Sequence, residues 1–250
     1  MNWRSFLYRR LCGVVTCELN LPSGGALALG TKFDVASAAD VVAHPFYWQL
    51  FHLLDRRPVS VVDCGAHCGH FTVVADICIR TRFGQSADQY TAIEPNPMLL
   101  PVIQRTVERA GIAERTKIVQ GLLGCDGASA NLWVHPKNYL TSSFSPQPGA
   151  RAHSVPCVLA DKVVLAGPID VLKVDIEGGE FGLLHKEPAL FQRAELLFLE
   201  IHAGPAEQSR WFNETLSQMG FRDAGPRVEH CGQQLAVLRR ARAANEESER

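Results

Sequence analysis

From residue 59 onward the chain alternates short apolar runs with stretches whose apolar residues recur at helical spacing. The runs VSVVD (59–63), YTAIE (90–94), TKIVQG (116–121), IDVLKVD (169–175), ELLFLEI (195–201), GFRDAG (220–225) and QLAVLRR (234–240) predict seven strands. Several of them are continuously apolar, the pattern of strands covered on both faces, as in a parallel sheet. Helices are predicted over 69–80, 97–110, 179–185 with a further turn near Pro188, and 205–219, the last stopping at Gly220 in a C-cap position. Strands joined by crossover helices predict an α/β fold.

The rhythm breaks twice. Residues 125–167, rich in Ser, Pro and Gly around NYLTSSFSPQPGARAHSVP, predict an irregular insertion or a short hairpin near the strand ends. Residues 1–57 precede the first strand and are expected to form an N-terminal cap. Within it, HPFYWQLF is an aromatic helix candidate, and Trp3, Phe6, Leu7 and Leu11 follow helical spacing. The main domain is then 58–242, followed by a charged tail over 243–250, RARAANEESER being a solvated terminus.

Composition narrows the partners more than the fold. The chain has 250 residues, 46% of them hydrophobic and 20% charged, which is the make-up of an ordinary globular protein. A formal net charge of −1 points away from wrapping nucleic acid and toward a small or neutral acceptor. The opening MNWRSFLYRRLCGVV has too short an apolar run for a signal peptide or an integral membrane segment. Eight scattered cysteines are read as reduced thiols in a cytoplasmic protein.

Candidate chemistry begins at SVVDCGAHCGHF, residues 60–71. A buried strand ending in Asp63, then Gly65, Ala66, His67 and Gly69 opening a helix, is the geometry in which backbone approaches a nucleotide, with glycine keeping the ligand's space clear. The spacing is DxGxxxG, so it does not match the dinucleotide pattern GxGxxG. Glu94 and Asn96 in AIEPNP follow the neighbouring strand, where a carboxylate accepts both ribose hydroxyls. Together they predict an adenosine-bearing cofactor. Cys64, His67, Cys68 and His70 do not make a zinc site, because one strand-to-helix turn points them apart.

Lys173, Asp175, Glu177 and Glu180 interrupt an otherwise apolar central strand and its exit, and Glu200 and His202 end the next one. Charge in such places is costly, so a shared task on the carboxyl edge is expected: general base, substrate anchor or ligands for a divalent ion.

In order, VVDCGAHCGHF, AIEPNP, IDVLKVDIEGGE and LLFLEIH resemble the FkbM family of S-adenosylmethionine-dependent methyltransferases over residues 59–202, as do YLTSSF and VPCVLADKVV. The resemblance implies a Rossmann-like class I methyltransferase fold, with a seven-stranded mostly parallel sheet, helices on both faces and the last strand antiparallel. It implies S-adenosylmethionine as cofactor and O-methylation of a sugar, glycan or natural-product hydroxyl. His67 departs from the usual Asn and is expected to alter affinity or make the turn pH-sensitive.

On this reading Asp63, Gly65, Ala66, His67, Gly69, Glu94 and Asn96 bind the cofactor, with Asp63 at its methionine or ribose end. Asp175 or His202 serves as base, with Glu177 as partner in binding the acceptor; a divalent metal is the variant. Two other readings stand beside it, a nicotinamide oxidoreductase and a methyltransferase-like module without catalysis. Tyr47, Trp48 and Tyr139 are candidates for stacking on the acceptor, although core positions are the commoner use of such residues.

Overall fold

A computed structural model describes residues 17–20, 26–29, 32–135, 138–230 and 232–241. The helix expected around Trp3 to Leu11 and the tail 243–250 lie outside the described residues, as does the Tyr139 side chain.

The cap contributes a hairpin of β1 (Cys17–Asn20) and β2 (Ala26–Leu29), helix α1 (Lys32–Val41), and two short helices α2 (Pro45–Trp48) and α3 (Leu50–Leu53) in place of one aromatic helix. His44 caps α2 by accepting the Phe46 N–H on Nδ1, and Pro45 sits at its first turn, where its missing N–H costs nothing. The domain then runs β3 (Ser60–Cys64), α4 (His70–Phe83), β4 (Gln89–Glu94), α5 (Leu100–Arg109) and β5 (Thr116–Gln120). After the insertion strands β6 (Ser129–His135), β7 (Asn138–Ser143) and β8 (Arg151–Pro156) come a short α6 (Ala160–Val163), β9 (Ile169–Val174), α7 (Glu180–Lys186), α8 (Pro188–Gln192) and β10 (Ala194–Ile201). Helix α9 (Ala206–Gln218) and strands β11 (Phe221–Asp223), β12 (Val228–His230) and β13 (Gln233–Arg240) complete it.

The main sheet has the order β11-β13-β10-β9-β3-β4-β5. Pairs β10–β9, β9–β3, β3–β4 and β4–β5 are parallel, and β13 runs antiparallel to β10. All seven expected strands are present, and β12 adds an eighth by pairing with β13. Period-two geometry splits the sheet's side chains between two cores. Val61, Val171, Phe198 and Val237 face α2 to α5, while Val62, Leu172, Leu197 and Ala236 face α7 to α9.

Two expectations are corrected here. Residues 125–167 are neither irregular nor a single hairpin: β6 pairs with both β7 and β8 in a three-stranded antiparallel sheet. Nor are all the thiols reduced, because Cys125 and Cys157, 32 residues apart, form a disulfide. A bridge between Leu122 and Cys157 at the neck of the insertion brings them together, a contact no local pattern encodes. Cys64, Cys68 and Cys78 are buried thiols.

Candidate functional site

The carboxyl ends of β3, β4, β9 and β10 open on one edge of the sheet, the place where α/β folds bind ligands. Gly65 begins the turn after β3 with φ +78°, and a Cβ there would lie 1.7 Å from the Asp175 carbonyl oxygen. Glycine is thus required by the neighbouring backbone, not by the ligand's space as the sequence pattern suggested. Gly69 also has positive φ, at the start of α4. His67 (φ 51°) and Glu177 (φ 55°) are the non-glycine residues in the left-handed region among the described residues, and both line the site. Such conformations are uncommon for side-chain-bearing residues and concentrate where function over-determines the backbone.

Lys173 is buried and ties the turn to the next strand. Its Nζ donates to the Gly65 carbonyl at 2.7 Å and lies 3.1 Å from Asp175 Oδ2 and 3.4 Å from Asp63 Oδ1. Burial opposes its charge, but Asp175 and Asp63 outweigh it and hold the ammonium protonated well above the usual lysine range. Asp63, 1% exposed, accepts from Thr72 Oγ1 at 2.9 Å and lines neither of the cavities described below. It faces Lys173.

Glu94, at the end of β4, is buried. Oε2 accepts the His67 N–H at 2.8 Å and Oε1 the Asn96 N–H at 2.9 Å. Burial pushes its carboxyl up to about 7, with those two donors pulling the other way. Asn96 Oδ1 accepts from Met98 N at 3.0 Å, which shapes the turn rather than the cavity wall.

Two cavities meet over the turn. The first, about 420 Å³, is bounded by Gly65, Glu94, the Gly121 to Leu123 segment and the serine strap Ser142 to Ser145. The second, about 310 Å³, is bounded by Tyr47, Ala66, His70, Lys173, Glu200 and Gln233. His67, Asp175 and Glu177 line both. Tyr47 is 4% exposed and edge-packed on Phe46 and Phe71, so it is core as well as wall, and its hydroxyl donates to Glu200 Oε2 at 3.4 Å.

His202 stands behind this junction. Nδ1 lies 3.1 Å from Glu180 Oε1 and Nε2 3.2 Å from Glu177 Oε2. Burial opposes the imidazolium, but the two carboxylates prevail and raise its pKa to about 10. A side chain that holds its proton at neutral pH is no base there, so the electrostatics speak against His202 in that role and leave it as a clamp on Glu177. The same fully buried Glu180 Oε1 accepts the Ile176 and Gly178 N–H groups at 3.1 Å, fixing the turn that presents Asp175 and Glu177.

One ligand atom each from Asp175, Glu200 and His202 lie within 4.8 Å of one another. His202 Nδ1 lies against Glu180 Oε1, and its Nε2 lies against Glu177 Oε2 and, at 2.9 Å, the Gln233 side-chain nitrogen, so an ion would have to displace these contacts to reach the imidazole.

Sequence reasoning missed Ser37. Its hydroxyl on α1 lies 3.0 Å from His67 Nδ1 and 2.9 Å from His70 Nδ1, fastening the cap to the turn. Burial lowers both histidines to about 4, so neither titrates near neutrality and His67 does not confer the expected pH sensitivity. No hydrophobic period marks a lone serine in a cap as a partner of residues 30 positions away.

The fold matches solved structures. The crystal structure of methyltransferase FkbM from Methylobacillus flagellatus KT is similar with a TM-score of 0.51 and 18% identity, covering 77% of this chain and 47% of that one. The chain therefore spans about half the length of that protein. Ribosomal protein L11 methylase from Lactobacillus delbrueckii subsp. bulgaricus gives 0.48 and 11% over 78% and 77% of the two chains. M. capricolum TrmK with S-adenosyl-homocysteine gives 0.47 and 10% over 78% and 67%. No curated protein matches the sequence. The methyltransferase FkbM domain, in contrast, matches residues 63–234, from Asp63 near the end of β3 to the second residue of β13, and on that match over more than half of its length the chain belongs to the FkbM methyltransferase family.

Proposed function

We propose that the protein transfers a methyl group from S-adenosylmethionine to a hydroxyl of a sugar, glycan or natural product. The observation that carries this reading is the pair of cavities joined at His67, Asp175 and Glu177, one for each reactant.

The first cavity fits the cofactor. Its volume is within the range of small-molecule sites. Each Glu94 oxygen spends one lone pair on a backbone N–H and keeps another for a ribose hydroxyl. When bound, the cofactor supplies an activated methyl group on a sulfonium. Asp175 and Glu177 would hold it by the negative charge they put on the wall of that cavity, and Gly65 and His67 would bring the backbone of the turn against it. Asp63 acts through Lys173, holding the ammonium that fixes the Gly65 carbonyl.

The second cavity fits the acceptor. Asp40, Asp175, Glu177 and Glu200 line it, and Lys173, its cation, is already balanced by Asp63 and Asp175. Such walls hydrogen-bond hydroxyls and repel phosphate, which favours a polyol over a nucleic acid. Tyr47, Glu200 and the clamped Glu177 orient the acceptor oxygen toward the junction. Orientation is a large part of this chemistry, because displacement requires the acceptor oxygen in line with the bond that breaks.

The test is calorimetry followed by turnover. Saturable binding of S-adenosylhomocysteine without binding of NAD, and release of S-adenosylhomocysteine in the presence of monosaccharides or methyl glycosides, is the expected result. Binding of NAD instead would return the oxidoreductase reading, and binding without transfer would leave a module that has lost catalysis.

A further inference from the structure

We propose that Glu200 is the general base of the transfer and that Tyr47 is the residue that positions it, an inference resting on the hydroxyl-methylating reading above.

Glu200 sits near the carboxyl end of β10 and lines the acceptor cavity. Oε2 takes the Tyr47 hydroxyl, and among the described residues Oε1 has no hydrogen-bond partner, which leaves it for the acceptor. The other groups at the junction are committed. His202 is held between Glu177 and Glu180, whose carboxylates raise its hold on a proton. Asp175 is one of the two anions balancing buried Lys173; burial raises its carboxyl too, but protonating it would leave that ammonium with Asp63 alone. Protonating Glu200, whose oxygens approach Asp175, relieves a repulsion between like charges instead.

The electrostatics agree. Burial first, then Asp175, push the Glu200 carboxyl up to about 7, against Lys173 and His202, with Glu177 adding to the rise. A base poised near the working pH combines an available lone pair with a useful affinity for the proton. The Tyr47 hydroxyl donates to Oε2 at 3.4 Å, and a donor of this kind favours the ionised carboxylate; His230 also lines the cavity.

In the step, the acceptor oxygen forms its bond to the methyl carbon as the methyl–sulfur bond breaks, with the bonding pair remaining on sulfur. The hydroxyl proton passes to Glu200 Oε1. A sulfonium, an alcohol and a carboxylate become a thioether, a methyl ether and a carboxylic acid, and charge balances.

The experiment compares wild type, Glu200→Gln and Tyr47→Phe. Calorimetry with S-adenosylhomocysteine comes first: wild type and Glu200→Gln are expected to bind alike. Then kcat is measured against pH on whichever monosaccharide or methyl glycoside the wild type turns over fastest. Glu200→Gln is expected to lower kcat about 100-fold or more and to abolish the decline on acidification below neutrality. Tyr47→Phe is expected to move that decline to higher pH, a change that loss of packing alone does not produce. Wild-type kcat and an unchanged profile in Glu200→Gln overturn the proposal while leaving the methyltransferase reading intact. Loss of S-adenosylhomocysteine affinity in that variant overturns it too, by assigning Glu200 to the cofactor. No binding by the wild type sinks the cofactor reading itself, and binding without turnover of any hydroxyl acceptor removes the reaction that needs a base.

Discussion

Lys173 Nζ donates to the carbonyl of Gly65 at 2.7 Å, so an ammonium from one strand holds the turn that follows its neighbour. Asp63 and Asp175 flank the same nitrogen. The buried cation joins the turn after β3 to the acidic exit of β9, and the stability of one depends on the other.

Removing that cation leaves two carboxylates facing each other without it. Lys173→Met is expected to destabilise the fold by about 3–5 kcal/mol, measured as a lower urea midpoint. Adding Asp63→Asn to it is expected to recover part of the loss, since the stranded buried charge disappears.

Gly65 and Gly178 test different causes of a glycine. A Cβ on Gly65 collides with the Asp175 carbonyl, whereas one on Gly178 meets nothing within 4 Å, and both have positive φ. Gly178→Ala is expected to cost about 1–2 kcal/mol, the conformational term alone. Gly65→Ala is expected to cost more than that and to abolish S-adenosylhomocysteine binding, read by thermal unfolding and calorimetry.

Cofactor affinity is expected to fall as pH drops through about 7, the value to which burial raises Glu94. Only the carboxylate offers both oxygens as acceptors, and protonation spends one of them on a proton. Glu94→Gln is expected to bind more weakly at alkaline pH and to lose this dependence. Calorimetry with S-adenosylhomocysteine at several pH values checks it, and an equal pH dependence in the variant would show another group at work.

His202 is expected to stabilise the fold below its unfolded pKa of about 6.5 and to lose that contribution as pH rises through about 10, its raised folded value. The direction follows because the native state holds the proton more tightly than the unfolded chain. His202→Gln is expected to be less stable by about 1.5–3 kcal/mol at neutral pH, with the difference shrinking in alkaline solution. Urea titrations across pH measure it.

Reduction of the Cys125 to Cys157 bridge is expected to lower stability by about 2–4 kcal/mol. Peptide mapping without reductant identifies the linked pair, and recovery of the same fragments unlinked would refute it.

The chain's own pattern determined seven strands of the main sheet, most of the helices and the acids Asp63 and Glu94 at the carboxyl ends of β3 and β4. Burial on both faces writes a continuous apolar run, a strand-to-helix turn writes its glycines, and both signals are local. Even so, the reason for Gly65 was hidden, because the atom it avoids belongs to Asp175, 110 positions away. Only the tertiary structure decided which carboxylate stands beside which cation. It turned Asp63 inward to Lys173, drew Glu177 and Glu180 around His202, set His67 against Ser37 and placed Glu200 beside the Tyr47 hydroxyl. The disulfide and the sheet of the insertion belong with these. Ionisation and pairing depend on desolvation and on charges a few ångströms off, and folding, not sequence order, sets those distances.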